Sequence, residues 1–499
     1  MYVAALAVFV GVLAPGHSAA AQEVSAASQP FNVAPWLADL EQARQAFLTK
    51  YANLEWLENE HETDLHALFN DLAERMRHAS NEGEARAIFD RLVQKTADGH
   101  VEIEWPEPPP PVASSAAQAQ PVDPCRSLGF DARQNGPGTA SAFPGYSPLP
   151  ESGNPFEAGT ASVAGTKIGI IRIGVFQPQG FPELCRAAVA ALHIAPDQPC
   201  DDRCRNHIID WTYPRLTAAI EDRARELRRV GATVLLVDIT GNGGGSEWAE
   251  AVARIVSGKR LVSERRGMVR GEHWAAQWRD LEQQLRGFAA TASPQDKEQL
   301  LAWAAEADAK LRDAETPCET RAPCQRIADA GFSTGLVASA PSGGFAGKEW
   351  GYLIFSPALF PYHDGVWSGP LIVLVDDSTW SAAEEFAAVL QDNQAAVVMG
   401  ARTGGAGCGH TNGGDPVLLT NSHATLQLPD CVRFRKHGSN EVRGILPDVL
   451  VPIRDSDGAH FRALLIAQHL PQAIEQARRL APMFVAHAAP ARRRHLGRR

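Results

Sequence analysis

Apolar positions in the first part of the chain recur at helical spacing. Trp36, Leu37, Leu40, Ala43 and Phe47 lie three or four residues apart, as do Leu65, Leu68, Phe69, Leu72 and Met76, and then Ala85, Ile88, Phe89, Leu92 and Val93. Residues 31 to about 97 are therefore expected to form a small bundle of three helices. The next stretch, TADGHVEIEW from Thr96 to Trp105, reads as a turn feeding an alternating strand. A proline-rich run from Pro106 to Pro111 then breaks regular structure, and residues 106–164, rich in Pro, Gly, Ala and Ser, read as a linker or long irregular loop.

From Lys167 the pattern changes to strands alternating with helices. Ile168 to Phe176 reads as a strand, and Leu216, Ile220, Ala224 and Leu227 mark a helix. Thr233 to Ile239, TVLLVDI, is an almost unbroken apolar strand, which implies a buried and largely parallel sheet. Residues 265–315 interrupt this alternation with two expected helices, the second opened by Ser293-Pro294. Gly351 to Phe355, Pro370 to Val375, Ala395 to Met399, Thr425 to Leu428 and Gly444 to Pro452 are read as further sheet elements, and a helix from about His460 to Leu480 as the last element. The organisation expected is a signal peptide at 1–21, an N-terminal helical domain at 22–105, the linker, an α/β core domain at 165–455 and a C-terminal helix with a basic tail at 456–499.

Composition refines this picture at the level of compartment and partners. A chain of 499 residues suits two or three compact units. The first stretch carries an apolar run of about 13 residues, too short to span a bilayer, and ends in Ala19-Ala20-Ala21, the pattern of an export signal cleaved after Ala21. Eight cysteines, an even number, fit an oxidising, periplasmic or secreted destination. Cys200 with Cys204 and Cys318 with Cys324 would close small loops, leaving Cys125 with Cys185 and Cys408 with Cys431. No CxxC pair or matching histidine spacing points to zinc, and a net charge of −11 argues against nucleic acid as a partner.

The chemistry gathers around GPLIVLVDDSTWSAAEEFAAVLQDN, Gly369 to Asn393. Here an apolar strand runs into a polar turn and a helix that opens at Ser381. A serine at a helix mouth sits beside unpaired N–H groups and the positive end of the helix dipole, where a developing oxyanion is stabilised; it is equally the place for an ordinary N-cap. The loop after TVLLVDI, Thr240-Gly-Asn-Gly-Gly-Gly-Ser246, lets backbone amides approach a ligand closely and lacks the GxGxxG and GK[ST] phosphate patterns, so it reads as a second oxyanion donor.

Read together, DITGNGGG, DDSTWSAAEEFAAVLQDN, GARTGGAG and GSNEVRGILPDVLVP resemble the tail-specific, or C-terminal processing, serine peptidases over roughly residues 165–455, and DGHVEI before them matches as well. The resemblance implies an α/β fold with a crotonase-like spiral core, a nucleophile at Ser381, and an oxyanion hole from the amide of Ala382 and a glycine of the loop, Gly244 or Gly245. The branch that uses a Ser-Lys dyad has a lysine where this chain has Ala406. The branch that includes the tricorn core protease uses a histidine, matched here by His100, and a late glutamate, matched by Glu441. His410, in the loop that lacks the lysine, is the rival base, and Gly99 stands where tricorn has a serine linking its histidine to the glutamate.

The function expected on these grounds is an exported serine endopeptidase acting on peptides or unfolded protein, without a cofactor or metal. Two further readings stand beside it: a non-catalytic ligand-binding protein on the same scaffold, and a serine esterase. The segment between the helical part and the core is too short and proline-rich for a PDZ domain, which leaves short or unfolded peptides as the substrate class.

Overall fold

The computed structural model describes residues 31–107, 123–150, 153–195, 200–316, 318, 325–454 and 456–481. The expected signal peptide, the middle of the proline-rich segment and the basic tail lie outside the described residues. Among those described, no helix is long and apolar enough to cross a membrane.

A seven-stranded mixed sheet organises the α/β part. In spatial order its strands are Val449–Leu450, Val397–Gly400, Leu371–Val375, Val234–Asp238, Thr166–Arg172, Ala158–Val163 and Ser147–Pro148. The first five run parallel, and the last two are antiparallel additions at one edge. Every residue of Val234–Asp238 and Leu371–Val375 is buried, as unbroken apolar strands covered on both faces must be. Helices Asp202–Arg229, Trp248–Ile255 and Ala382–Asp392 pack on one face through Leu216, Ile220, Trp248 and Phe386. The C-terminal helix, Ala459–Leu480, covers the other with Ala463, Ile466, Leu470 and Ile474.

The N-terminal residues form helices Ala34–Lys50, Leu65–Arg77 and Glu82–Thr96, with a short helix Leu54–Asn59 between the first two. Their core of Leu40, Phe47, Leu57, Phe69, Leu72 and Phe89 is not closed by the helices alone. Leu419, Leu426 and Val442, from far along the chain, complete it. Beside it, strand Glu102–Glu104 pairs antiparallel with Thr425–Gln427, so the latter belongs to a small separate sheet and not to the central one.

Three stretches differ from the sequence reading. Gly351–Ile354 is a single helical turn, because a four-residue apolar run has no period that distinguishes strand from buried helix. Arg265–Val269, expected as part of a helical insertion, is a strand between Ile327–Phe332 and Cys431–Phe434. The two helices then follow at Glu272–Thr291 and Pro294–Glu315, with Trp274, Trp278, Leu285 and Leu300 in their shared core. The segment read as a linker supplies two edge strands of the central sheet and the buried Ala140 and Phe143. Its small residues suit an edge strand packed closely: a Cβ on Gly159 would meet the Tyr146 ring at 2.5 Å.

Disulfides join Cys125 to Cys185, Cys200 to Cys204 and Cys408 to Cys431, three of the expected pairs. The fourth, Cys318 with Cys324, falls partly outside the described residues.

Candidate active site

Strand Leu371–Val375 ends in Asp376, whose carboxylate accepts from the Thr379 hydroxyl and the Gly241 N–H, tying this turn to the glycine loop. The turn delivers Ser381 to the N-cap of helix Ala382–Asp392 with φ 55° and ψ −121°, a sparsely populated conformation for a residue with a side chain. Its hydroxyl meets His100, whose Nε2 lies 3.0 Å from Ser381 Oγ.

His100 arrives from the opposite direction. Helix Glu82–Thr96 ends at Ala97 in the left-handed region, and the following turn is braced by Asp98, which accepts the His100 N–H at 3.0 Å. The Asp98 carboxylate is itself buried and held by the Tyr51 hydroxyl at 2.9 Å and Asn53 Nδ2 at 2.8 Å. On the far side of the ring, Nδ1 is 2.7 Å from the Ala406 carbonyl oxygen. A carbonyl can only accept, so Nδ1 carries the proton and Nε2 turns its lone pair to the serine. Desolvation of the ring, opposed by the Asp98 charge, lowers the His100 pKa below its usual value and keeps the imidazole neutral. A neutral imidazole in this tautomer, within reach of a serine hydroxyl, is the arrangement for nucleophilic acyl transfer.

The Ala406 carbonyl is fixed by a group that sequence reasoning passed over. Glu384, one helical turn after Ser381, is fully buried and folds back on the glycine-rich loop. Its carboxylate accepts from the N–H of Gly405 and of Ala406, both at 2.8 Å, from the Thr403 hydroxyl at 2.5 Å and from the Ser381 N–H at 3.1 Å. One side chain therefore braces both Ser381 and the peptide that orients the His100 ring. Burial, and then the charge of Glu441, push the Glu384 carboxyl up to about 7. The sequence signal was there: serine followed at the third position by glutamate is a capping box, and only its reach to the loop needed the structure.

The resemblance matches Glu441 to a late glutamate that serves the histidine, directly or through water. In the structure it is buried and held by Arg433, whose Nε reaches Oε2 at 2.8 Å and Nη2 reaches Oε1 at 2.7 Å. The same guanidinium donates to the carbonyls of Ser381 at 3.0 Å and Gly407 at 2.8 Å. Glu441 is thus joined to the serine through Arg433, while the atom at His100 Nδ1 is the Ala406 carbonyl. A second connection runs from its neighbour Asn440, whose Nδ2 donates to Asn53 Oδ1 at 2.8 Å and so reaches Asp98. His410 stands edge-on to His100 with 5.6 Å between ring centroids, and its Nε2 is buried without a partner among the described residues.

Of the expected oxyanion donors, Ala382 occupies the first helical position, where its N–H has no intrahelical acceptor. Gly244, at φ 109°, lies against Ser381: a Cβ there would be 2.7 Å from Ser381 Cβ and 3.0 Å from Ala382 N. Its own N–H donates to Asn242 Oδ1 at 2.8 Å. Gly245, at φ 141°, has the Phe176 backbone where a Cβ would be, 2.6 Å away, and its N–H is the less committed of the two.

A model described as peptidase family S41 matches residues 167–451, more than half of the chain. The chain belongs to peptidase family S41. It is accordingly a serine-type peptidase, a hydrolase of peptide bonds. No curated protein sequence matches the peptidase. Among solved structures it is similar to mature CPAF, at 14% identity and TM-score 0.55, over 90% of this chain and 98% of that one. It is also similar to mature CPAF complexed with lactacystin, at 15% identity and TM-score 0.57, over 90% and 99%. At such identities the likeness is one of fold.

Proposed function

We propose that the protein is an exported, periplasmic or secreted serine endopeptidase of the histidine-using kind, built on a crotonase-like spiral core, in which Ser381 is the nucleophile and His100 the general base. The observation that carries this reading is the His100 Nε2 to Ser381 Oγ contact of 3.0 Å with the opposite nitrogen held by a carbonyl. Ser381 attacks the peptide carbonyl while His100 takes its proton, then returns it to the leaving amine. The amides of Ala382 and of Gly245 or Gly244 receive the oxyanion. Glu441 orients Arg433, which holds the carbonyls of Ser381 and Gly407, and the Asp98 carboxylate favours the charge that His100 acquires. Short or unfolded peptides are the substrate class, and the three disulfides support the exported address.

The test is labelling of the mature protein by a fluorophosphonate, in wild type and in Ser381→Ala, His100→Ala and His410→Ala. Labelling lost in the first two and kept in the third is the expected result. Loss in His410→Ala with retention in His100→Ala would move the base to His410. A wild type that never labels, beside a labelled control hydrolase, would favour a ligand-binding protein, and labelling with ester but no peptide turnover an esterase.

A further inference from the structure

A cavity of about 230 Å³ opens beside the candidate active site. Its wall includes His410, whose ring touches His100, and Arg433, which reaches through to the Ser381 carbonyl. Glu247, directly beyond the glycine loop, and Glu385, on the nucleophile helix, face it from the other elements of the site, and Arg266 and Ser356 complete it. Bounded by Glu385 of the helix that Ser381 caps, by Glu247 just after the glycine loop and by His410 against the His100 ring, the space adjoins the place of a substrate side chain next to the scissile bond.

Four polar atoms of this wall are unspent. Glu385 Oε1, Arg266 Nε, Ser356 Oγ and His410 Nε2 are buried and have no hydrogen-bond partner among the described residues, and Glu385 is itself 3% exposed. Buried polar atoms are normally satisfied, so four around one cavity imply an occupant that satisfies them. An apolar side chain would strand them all. Arg433 is already paired with Glu441, and burial pushes the Glu385 carboxyl up to about 7, which leaves Glu247 against Arg266 and favours neither an acidic nor a basic occupant. The open positions call for a donor, toward Glu385, and an acceptor, toward Arg266, in one neutral group.

We infer that this cavity is a specificity subsite that takes a neutral carboxamide side chain, glutamine or asparagine, adjoining the bond to be cleaved. The inference rests on the peptidase reading of Ser381, and its test separates the two. Wild-type enzyme is given an alanine-based peptide set in which one residue at each position is Gln, Asn, Leu, Glu or Lys, with cleavage read by mass spectrometry. Expected is a kcat/KM for Gln or Asn at one position flanking the cut that exceeds Leu, Glu and Lys by about tenfold or more, since a site built to hydrogen-bond rejects what leaves it unpaired. Cleavage with no such preference, or with preference for Leu, Glu or Lys, overturns the subsite.

In Glu385→Leu the Gln to Leu ratio should fall toward one. Should that variant not fold, Ser356→Ala and Arg266→Met read the same ratio. If wild type cleaves nothing, the peptidase reading of Ser381 fails instead, and calorimetric titration of Ser381→Ala with the Gln and Leu peptides decides the cavity. Equal affinity there means that water alone fills it and sinks the inference.

Discussion

His100 and Ala406 stand 306 residues apart in the chain and share a hydrogen bond of 2.7 Å that selects the tautomer of the imidazole. The position at which related peptidases of the Ser-Lys branch are expected to carry a lysine side chain contributes here through its backbone alone. Its carbonyl is the group that aims the ring.

The clearance around that ring is small. A Cβ on Gly409, at φ 79°, would lie 2.8 Å from His100 Nε2. Gly409→Ala is expected to push the ring off Ser381 and lower kcat by about 10²-fold, as a displacement of about an ångström does. Steady-state kinetics with far-ultraviolet dichroism checks this: unchanged kcat in a folded variant would contradict the geometry.

The acid limb of the pH profile follows from desolvation of His100. Because burial lowers its pKa below the usual 6.5 and the neutral ring is the active form, kcat/KM should rise with pH through a limb centred below that value and then level off. The folded state also binds fewer protons at this ring than the unfolded chain, so its share of stability is lost as pH falls below about 6.5. An acid limb centred above 6.5 would mean that the base is another group.

Glu384 makes the opposite contribution. Its folded pKa of about 7 exceeds the usual 4.5, so the folded state holds a proton that the unfolded chain has released. The stabilisation is complete below 4.5 and is lost as pH rises through about 7. Glu384→Gln should flatten melting temperature against pH across this window. It should also lower kcat by about 10- to 100-fold with KM little changed, because the Ala406 peptide and the Ser381 amide lose a common anchor. Retention of the pH slope in Glu384→Gln would assign it elsewhere.

Arg433 and Glu441 form a buried pair with 2.7 and 2.8 Å contacts. Removing one partner, in Arg433→Met, leaves an uncompensated buried charge and should cost about 3–5 kcal/mol. The double change Arg433→Met with Glu441→Leu should recover most of that stability in denaturant titration while activity stays lost, since the carbonyls of Ser381 and Gly407 still lack their donor. Recovery of both would reduce the pair to a packing element.

What the sequence made legible here was local. Ser381 and the glycine loop stand in contiguous motifs beside apolar strands, and DGHVEI marks His100 by its turn. Glu384 and Arg433 were opaque because each sits in an ordinary setting, one on a capped helix and one in a short strand, and owes its importance to partners about 20 to 50 residues away. Glu441 was legible as a residue and not as a contact, since nothing in a linear pattern tells a carboxylate that meets an imidazole from one that meets a guanidinium. The YLIF run misled for the opposite reason: four apolar residues fit a strand or a buried turn equally well, and Trp350 and Phe355 packing on Phe345 decided for the turn.

His100 directly precedes Val101 of the hydrophobic cluster of the N-terminal helices, and Ser381 directly precedes Ala382 of that of the central sheet. Hydrolysis by this chain is therefore a reporter of assembly. Expressed as two fragments, neither piece would hold a whole centre, and turnover would become saturable in one fragment as the other is titrated. Heat or denaturant that parts Asn440 from Asn53 would silence the enzyme while the sheet still stands.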